Sequence, residues 1–263
     1  MVAYKSPALR EAELAVFARG ESLLPEPFTL ELGNDDPDSN CSITVISAAE
    51  YLPVSLISTS WNAPNLGRMS NAQNLLYPII ETPWGLIQSY RITSVSRHWY
   101  AASLNNGVTL GIGDRPQFAT FDGANLVLNL YNLAHPDDST IAWKNARLNV
   151  LRGQSISAPS ICKVHLSASP PDANGNLTDL TTPGYEPAEY GIGLTHWLDP
   201  TALFTHNLQI IEWPMFTEYA GPIKGVGISF DGIMWYSKAV SDGTIGWKYG
   251  QPYILPEKLV ITA

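Results

Sequence analysis

The chain carries its own sequence twice. Shifting it by 136 positions lays residues 71–107 on 207–243 without a gap. Nine of those 37 pairs are identical: Asn71/Asn207, Gln73/Gln209, Pro78/Pro214, Gly85/Gly221, Ile87/Ile223, Ile92/Ile228, Trp99/Trp235, Tyr100/Tyr236 and Gly107/Gly243. Unrelated stretches of ordinary composition would share about two. With small gaps the match extends upstream through Arg19-Gly20 on Arg152-Gly153 and Tyr51-Leu52-Pro53 on Tyr185-Glu186-Pro187. Downstream it sets Gly113 on Gly250 and Leu126-Val127 on Leu259-Val260. An internal period of this size constrains the fold more than any single motif, because both halves must suit one architecture. The joint is expected near Asn132–Asp138, giving domains over residues 1–133 and 134–263, each large enough for its own core.

Each copy is expected to open with one helix. Ser6 can cap, Pro7 suits the first helical position, and Arg19-Gly20 makes a basic last turn and a glycine stop. In the second copy Ser139 or Thr140 caps, and Arg152-Gly153 ends the helix. Leu9, Ala12 and Val16, and Trp143, Ala146 and Val150, give each helix one apolar stripe. Short β-type runs follow: Ile87–Ile92, Ile223–Ile228, Val108-Thr109-Leu110, Thr244-Ile245-Gly246-Trp247, Leu126–Leu130 and Lys258–Thr262. Asp231-Gly232 is a hairpin signal. With 20 Gly and 20 Pro spread along the chain, long helices are disfavoured. The expected class is all-β with one short N-terminal helix per domain, arranged as two tandem β-sandwich or jelly-roll-like domains. The expected repeat core pairs Trp99 with Trp235, Ile87 with Ile223 and Ile92 with Ile228.

The chain is 45% hydrophobic and only 15% charged, which argues against disorder. A net charge of −9 would repel phosphate backbones, so no nucleic-acid partner is expected. No apolar run approaches the roughly 20 residues of a membrane span. Met1–Pro7 lacks the apolar stretch of a signal peptide, so no export is expected and the chain is expected to fold in a reducing cytosol. Cys41 and Cys162 are too few for a disulfide framework and are read as free thiols.

The motifs of chemistry are mostly missing. His98, His135, His165, His196 and His206 show no His-Glu-x-x-His or His-x-His spacing, and each is read as structural or superficial. There is no Gly-x-Ser-x-Gly elbow or phosphate loop, and Gly111-Ile112-Gly113-Asp114 runs into Pro116 and reads as a turn. Asp36, Asp38 and Asn40, and Asp172, Asn174 and Asn176, alternate as calcium ligands can. However, Cys41 and Leu177 stand where such loops need Gly, and Ser47 and Pro183 where they need Glu. Those six residues are therefore weak metal candidates, read first as Asx- and Pro-rich turns. Glu212, Glu218 and Asp231 lack acidic counterparts in the first copy, where Leu76, Thr82 and Val95 stand. The Trp-Tyr pairs could stack on sugar, but at least one ring of each pair should face a core. The expectation is a non-enzyme with no cofactor.

Both copies also show a common order of landmarks. The first has Pro27-Phe28-Thr29-Leu30-Glu31-Leu32, Pro37, Tyr51, Asn71, Tyr77-Pro78, Trp84-Gly85, Gly113-Asp114 and Leu126-Val127-Leu128. The second has Pro159 through Leu166, Pro170-Pro171, Gly184-Tyr185, Asn207, Trp213-Pro214, Gly221, Gly250 and Leu259-Val260-Ile261. In this order the chain resembles small bacteriophage virion proteins, loosely named tail-fibre or minor structural (decoration-like) proteins, here in tandem. It departs from the pattern at Glu50 (where Gly precedes Tyr), at Ala220 for the Trp and at Gln251 for the Asp. The resemblance implies a non-enzymatic virion component, either a capsid decoration or a neck or tail protein, with major capsid or neck/tail proteins as partners. A glycan- or receptor-binding module of a tail tip is the alternative. Abundant aromatics with little charge imply self-association, and the resemblance implies a trimer ahead of other homo-oligomers.

Overall fold

In a computed structural model the chain is described over residues 3–120, 126–130, 138–200, 204–218, 220–241, 244–248 and 250–262. The described residues are mostly β, with two helices and several antiparallel sheets. In chain order come β1 (Ala3–Lys5), α1 (Pro7–Ala18), β2 (Phe28–Gly33), β3 (Val54–Leu56), β4 (Arg68–Ser70), β5 (Leu75–Leu76), β6 (Leu86–Ser94), β7 (His98–Thr109), β8 (Gln117–Phe118) and β9 (Val127–Asn129). After α2 (Ile141–Val150) follow β10 (Cys162–Ser167), β11 (Ala188–Tyr190), β12 (Phe204–His206), β13 (Ile211–Glu212), β14 (Gly225–Phe230), β15 (Ile233–Ala239), β16 (Gly246–Lys248), β17 (Gln251–Ile254) and β18 (Val260–Thr262).

These elements form two compact units. Unit 1 comprises Met1–Arg10, Leu24–Pro136 and Asn145–Ser155; unit 2 comprises Glu11–Leu23, Asp137–Lys144 and Ile156–Ala263. The joint expected between residues 133 and 134 lies outside the described residues. The units are interleaved rather than contiguous, since each helix is divided between them, α1 after Arg10 and α2 after Lys144.

Unit 1 is built on the sheet β1-β7-β6-β2-β3 and unit 2 on β11-β10-β14-β15. In unit 1, Phe28–Gly33 pair with Ser94–Ser89; in unit 2, Cys162–Ser167 pair with Phe230–Gly225. Alternation does the rest: Phe28, Leu30 and Leu32, and Cys162, Val164 and Leu166, point into the cores. Smaller ladders complete each unit, β4-β9 and β5-β8 in the first, β12-β18 and β13-β17-β16 in the second.

The helices start as their sequences dictate. Ser6 Oγ accepts the Leu9 N–H and Thr140 Oγ1 accepts the Trp143 N–H, so Thr140 rather than Ser139 is the second cap. Gly20 (φ 71°) and Gly153 (φ 85°) take the left-handed conformation that stops a helix. The single-stripe expectation is corrected for α1: Leu14, Ala15, Val16, Phe17 and Ala18 are all fully buried, so the C-terminal part of the helix is enclosed all round. In unit 2, Phe17 stacks on Phe230 and meets Trp197 edge-on, and Trp143 stacks on Trp235 with centroids 3.9 Å apart.

The Trp-Tyr steps sit on β-bulges. Ile92 pairs with Tyr100 and Thr93 with His98, leaving Trp99 as the extra residue; Ile228 pairs with Tyr236 and Ser229 with Met234, leaving Trp235. Because a bulge breaks the up-down alternation, both rings of each step are buried. Ile92 and Ile228 are likewise buried and aligned. The third core pairing is corrected: Ile87 is buried in β6 opposite Val108, whereas Ile223 precedes β14 and is half-buried. The reason is topological. In unit 1 the chain after the hairpin returns to β6, while in unit 2 it leaves to become β16 against β17.

Candidate functional site

The outward faces of β2 and β10 carry the polar side chains of each sheet, and here the two units part company. Arg91 Nε donates to Glu31 Oε2 at 2.8 Å, the Arg91 guanidinium lies 3.2 Å from His98 Nε2, and Thr93 Oγ1 lies 3.1 Å from His98 Nδ1. Burial first, then the Arg91 charge, lowers the His98 pKa, against the opposing pull of Glu31 and Asp38. In unit 2 the place of Glu31 is taken by His165, of Arg91 by Gly227, of Thr93 by Ser229 and of His98 by Met234.

There an Asp–His–Ser chain forms. His165 Nδ1 lies 2.9 Å from Asp179 Oδ1 and its Nε2 lies 2.8 Å from Ser229 Oγ. Such an order could activate a hydroxyl, but a nucleophile also needs room for an acyl group and free N–H donors for the oxyanion. Ser229 is 4% exposed and paired with Lys163 in mid-sheet, and Met234 and Leu177 close over Gly227 beside it. The chain of hydrogen bonds thus ties the Asp179 segment to the sheet. Sequence gave no sign of it, because its members are 14 and 64 positions apart.

The alternating Asp/Asn segments are Asx turns. Asp38 Oδ1 accepts the N–H groups of Asn40 and Ser42, and Asp172 Oδ1 those of Asn174 and Asn176, all at 2.8 Å. Asp172 is therefore the counterpart of Asp38. The shift is 134 over β2 and β3 and becomes 136 from β4 on, since two extra residues lie between β11 and β12. Asp36 is exposed. The side-chain hydrogen bond from Asn176 leads the effects that hold the Asp172 pKa low. The Asn174 carbonyl accepts the Ile141 N–H, so this turn closes the start of α2. Among the described residues no three His, Cys, Asp or Glu side chains gather as metal ligands.

The remaining candidates also have structural work. Asp231 accepts the N–H groups of Ser160 and Ile161 and the Ser160 hydroxyl, beside the tight turn formed with Gly232 (φ 48° and 83°). Both thiols are free and buried, and burial raises the Cys41 pKa to about 12. The rings proposed for sugar stacking, Trp99, Tyr100, Trp235 and Tyr236, all lie in cores.

Unit 1 holds an open cleft. Opposite Gln88, four residues of β7, Leu104–Gly107, bulge out between the pairs Ser89/Ser103 and Ile87/Val108. This excursion and β8 flank a cleft of about 580 Å³, within the range of binding sites. Its walls are largely apolar (Tyr90, Leu104, Val108 and Phe118 among them), with Asn105, Asn106 and Gln117 adding amides and Arg115 the only charge. The cleft was not legible in sequence, where the β-type run begins only at Val108.

No protein-family model matches the chain, and no curated protein matches it.

Proposed function

We propose that the two halves are duplicated copies of one β-sandwich module, and that the chain is a non-enzymatic accessory component of a bacteriophage virion. It would decorate the capsid surface or belong to the neck or tail. One observation carries the reading: the side chains that recur between the units hold backbone, while those with chemical potential do not recur. Asn71 and Asn207, Tyr51 and Tyr185, and Tyr77 and Trp213 make matching hydrogen bonds to backbone. The Arg91–Glu31–His98 and His165–Asp179–Ser229 groupings have no counterpart of their own kind. A module kept twice for its scaffold suits a building block that uses one architecture at two places. The order of landmarks shared with phage structural proteins supplies the setting.

Exposed apolar side chains, with Val95, Ile112 and Leu52 at 95%, 68% and 65% exposure, support contacts with capsid or neck/tail proteins and with further copies, a trimer ahead of other states. Quantitative mass spectrometry of purified particles tests the proposal. The chain should be present at a fixed stoichiometry, and a protein abundant in lysate but absent from particles would refute it.

A further inference from the structure

We propose that the unit 1 cleft is a strand-addition site, which takes an extended segment of another particle protein as a new strand along β8. The choice of a particle protein as donor rests on the virion reading; the site itself rests on the geometry.

The register of β8 leaves one edge open to the cleft. The Tyr77 N–H donates to the Pro116 carbonyl, and Leu76 is opposite Gln117. In an antiparallel ladder hydrogen-bonded pairs alternate, so the Gln117 N–H and C=O point away from β5. Unit 2 shows what such an edge accepts. The Trp213 N–H donates to the Pro252 carbonyl, Glu212 is opposite Tyr253, and β16 lies on the outer side with Gly246 paired to Tyr253. Gln117 is the counterpart of Tyr253, but Leu86 and Ile87 draw Val108-Thr109 back to β6, so no β16 covers it. An unpaired edge at the mouth of an apolar cleft is a template for an incoming strand.

Charge and topology choose the occupant. In β16, Lys248 is opposite Gln251 and Trp247 opposite Pro252. The matching residues of unit 1 are Arg115 and Pro116. An added strand therefore sets one side chain opposite Arg115, where a carboxylate is favoured, and the next opposite Pro116, where an aromatic ring fits. The neighbouring Asp114 carboxylate is engaged by the Gly111 N–H. All strands among the described residues already have partners, so a segment of this chain would have to leave its own ladder to enter the cleft. The donor is therefore a different protein, contributing an extended apolar segment with an acidic residue.

The probe is a blocked heptapeptide, Thr-Ile-Gly-Trp-Glu-Tyr-Gly, the sequence of residues 244–250, which contain β16, with Glu at the Lys248 position. Added to the ¹⁵N-labelled full chain, it should shift the amides of Leu104–Leu110 and Gln117 and slow Gln117 exchange at least tenfold. The Lys form should bind more weakly, Arg115→Glu should reverse that preference, and Gln117→Pro, which removes the outward N–H, should abolish binding. No shifts at millimolar peptide, binding indifferent to the Glu/Lys exchange, or binding that survives Gln117→Pro would overturn the site. In particles, a photo-crosslinker at Asn106 should capture a different protein. Capture of a second copy, or no capture although the chain is present, overturns this inference and leaves the virion role standing. Peptide binding by a chain absent from particles keeps the site and removes the role and the donor.

Discussion

The side-chain oxygen of Asn71 accepts the N–H of Leu126 at 2.8 Å, 55 positions away in sequence. Its amide nitrogen meanwhile donates to the Gln73, Phe118 and Ala119 carbonyls. Asn207 does the same with Leu259, Gln209 and Leu255. Each carboxamide is buried and holds three separate stretches of chain together. Replacing Asn71 or Asn207 by Ala leaves buried backbone groups unsatisfied and should cost about 2–4 kcal/mol. Urea denaturation of each variant checks this.

Trp235→Ala removes an indole stacked on Trp143 and tilted against Phe230. A loss of roughly 3–5 kcal/mol is expected, and a similar loss for Trp99→Ala. Thermal melts of the two variants measure it; an unchanged curve for either contradicts the burial described above.

Glu50 stands where the second unit has Gly184. Its carboxylate accepts the Thr82 N–H and hydroxyl, the Glu81 N–H and the Trp84 indole N–H. Led by the Thr82 backbone bond, these bring its pKa down from 4.5 to about 2. The folded-state value is depressed, so the stabilisation is complete above pH 4.5 and lost as pH falls toward 2. Glu50→Gln should flatten the stability profile between those limits, and a carboxyl NMR titration should place the Glu50 midpoint near the lower one.

His98 should titrate below its ordinary 6.5, because burial and Arg91 disfavour its charged form. Its contribution to stability is present above pH 6.5 and declines as the solution is made more acidic. In Arg91→Gln the repelling charge is gone while Glu31 and Asp38 remain, so the His98 midpoint should rise. Imidazole NMR resonances follow both.

What was legible in the sequence is what depends on neighbours in the chain. The caps at Ser6 and Thr140, the glycine stops and the Asp231-Gly232 turn each follow from a few adjacent residues. The strand pattern also follows, since alternation is local. The division of α1 between the units was not legible, because the apolar run from Leu14 to Ala18 says that this end of the helix is enclosed but not which residues enclose it. Nor was the cleft: whether Val108 returns to β6 or leaves as Gly246 does is decided by pairing partners about twenty residues away or more in one case and three to seven in the other.

The bulges at Trp99 and Trp235 have a mechanical meaning. A regular hairpin can slide by two residues and recover every backbone hydrogen bond, so its ladder alone does not fix where one strand stops against the other. With an extra residue whose ring fills the core, any slide would drag an indole toward water and push a smaller side chain into the space it left. Each hairpin is thus keyed like a lock barrel, its alignment set by the volume of one side chain.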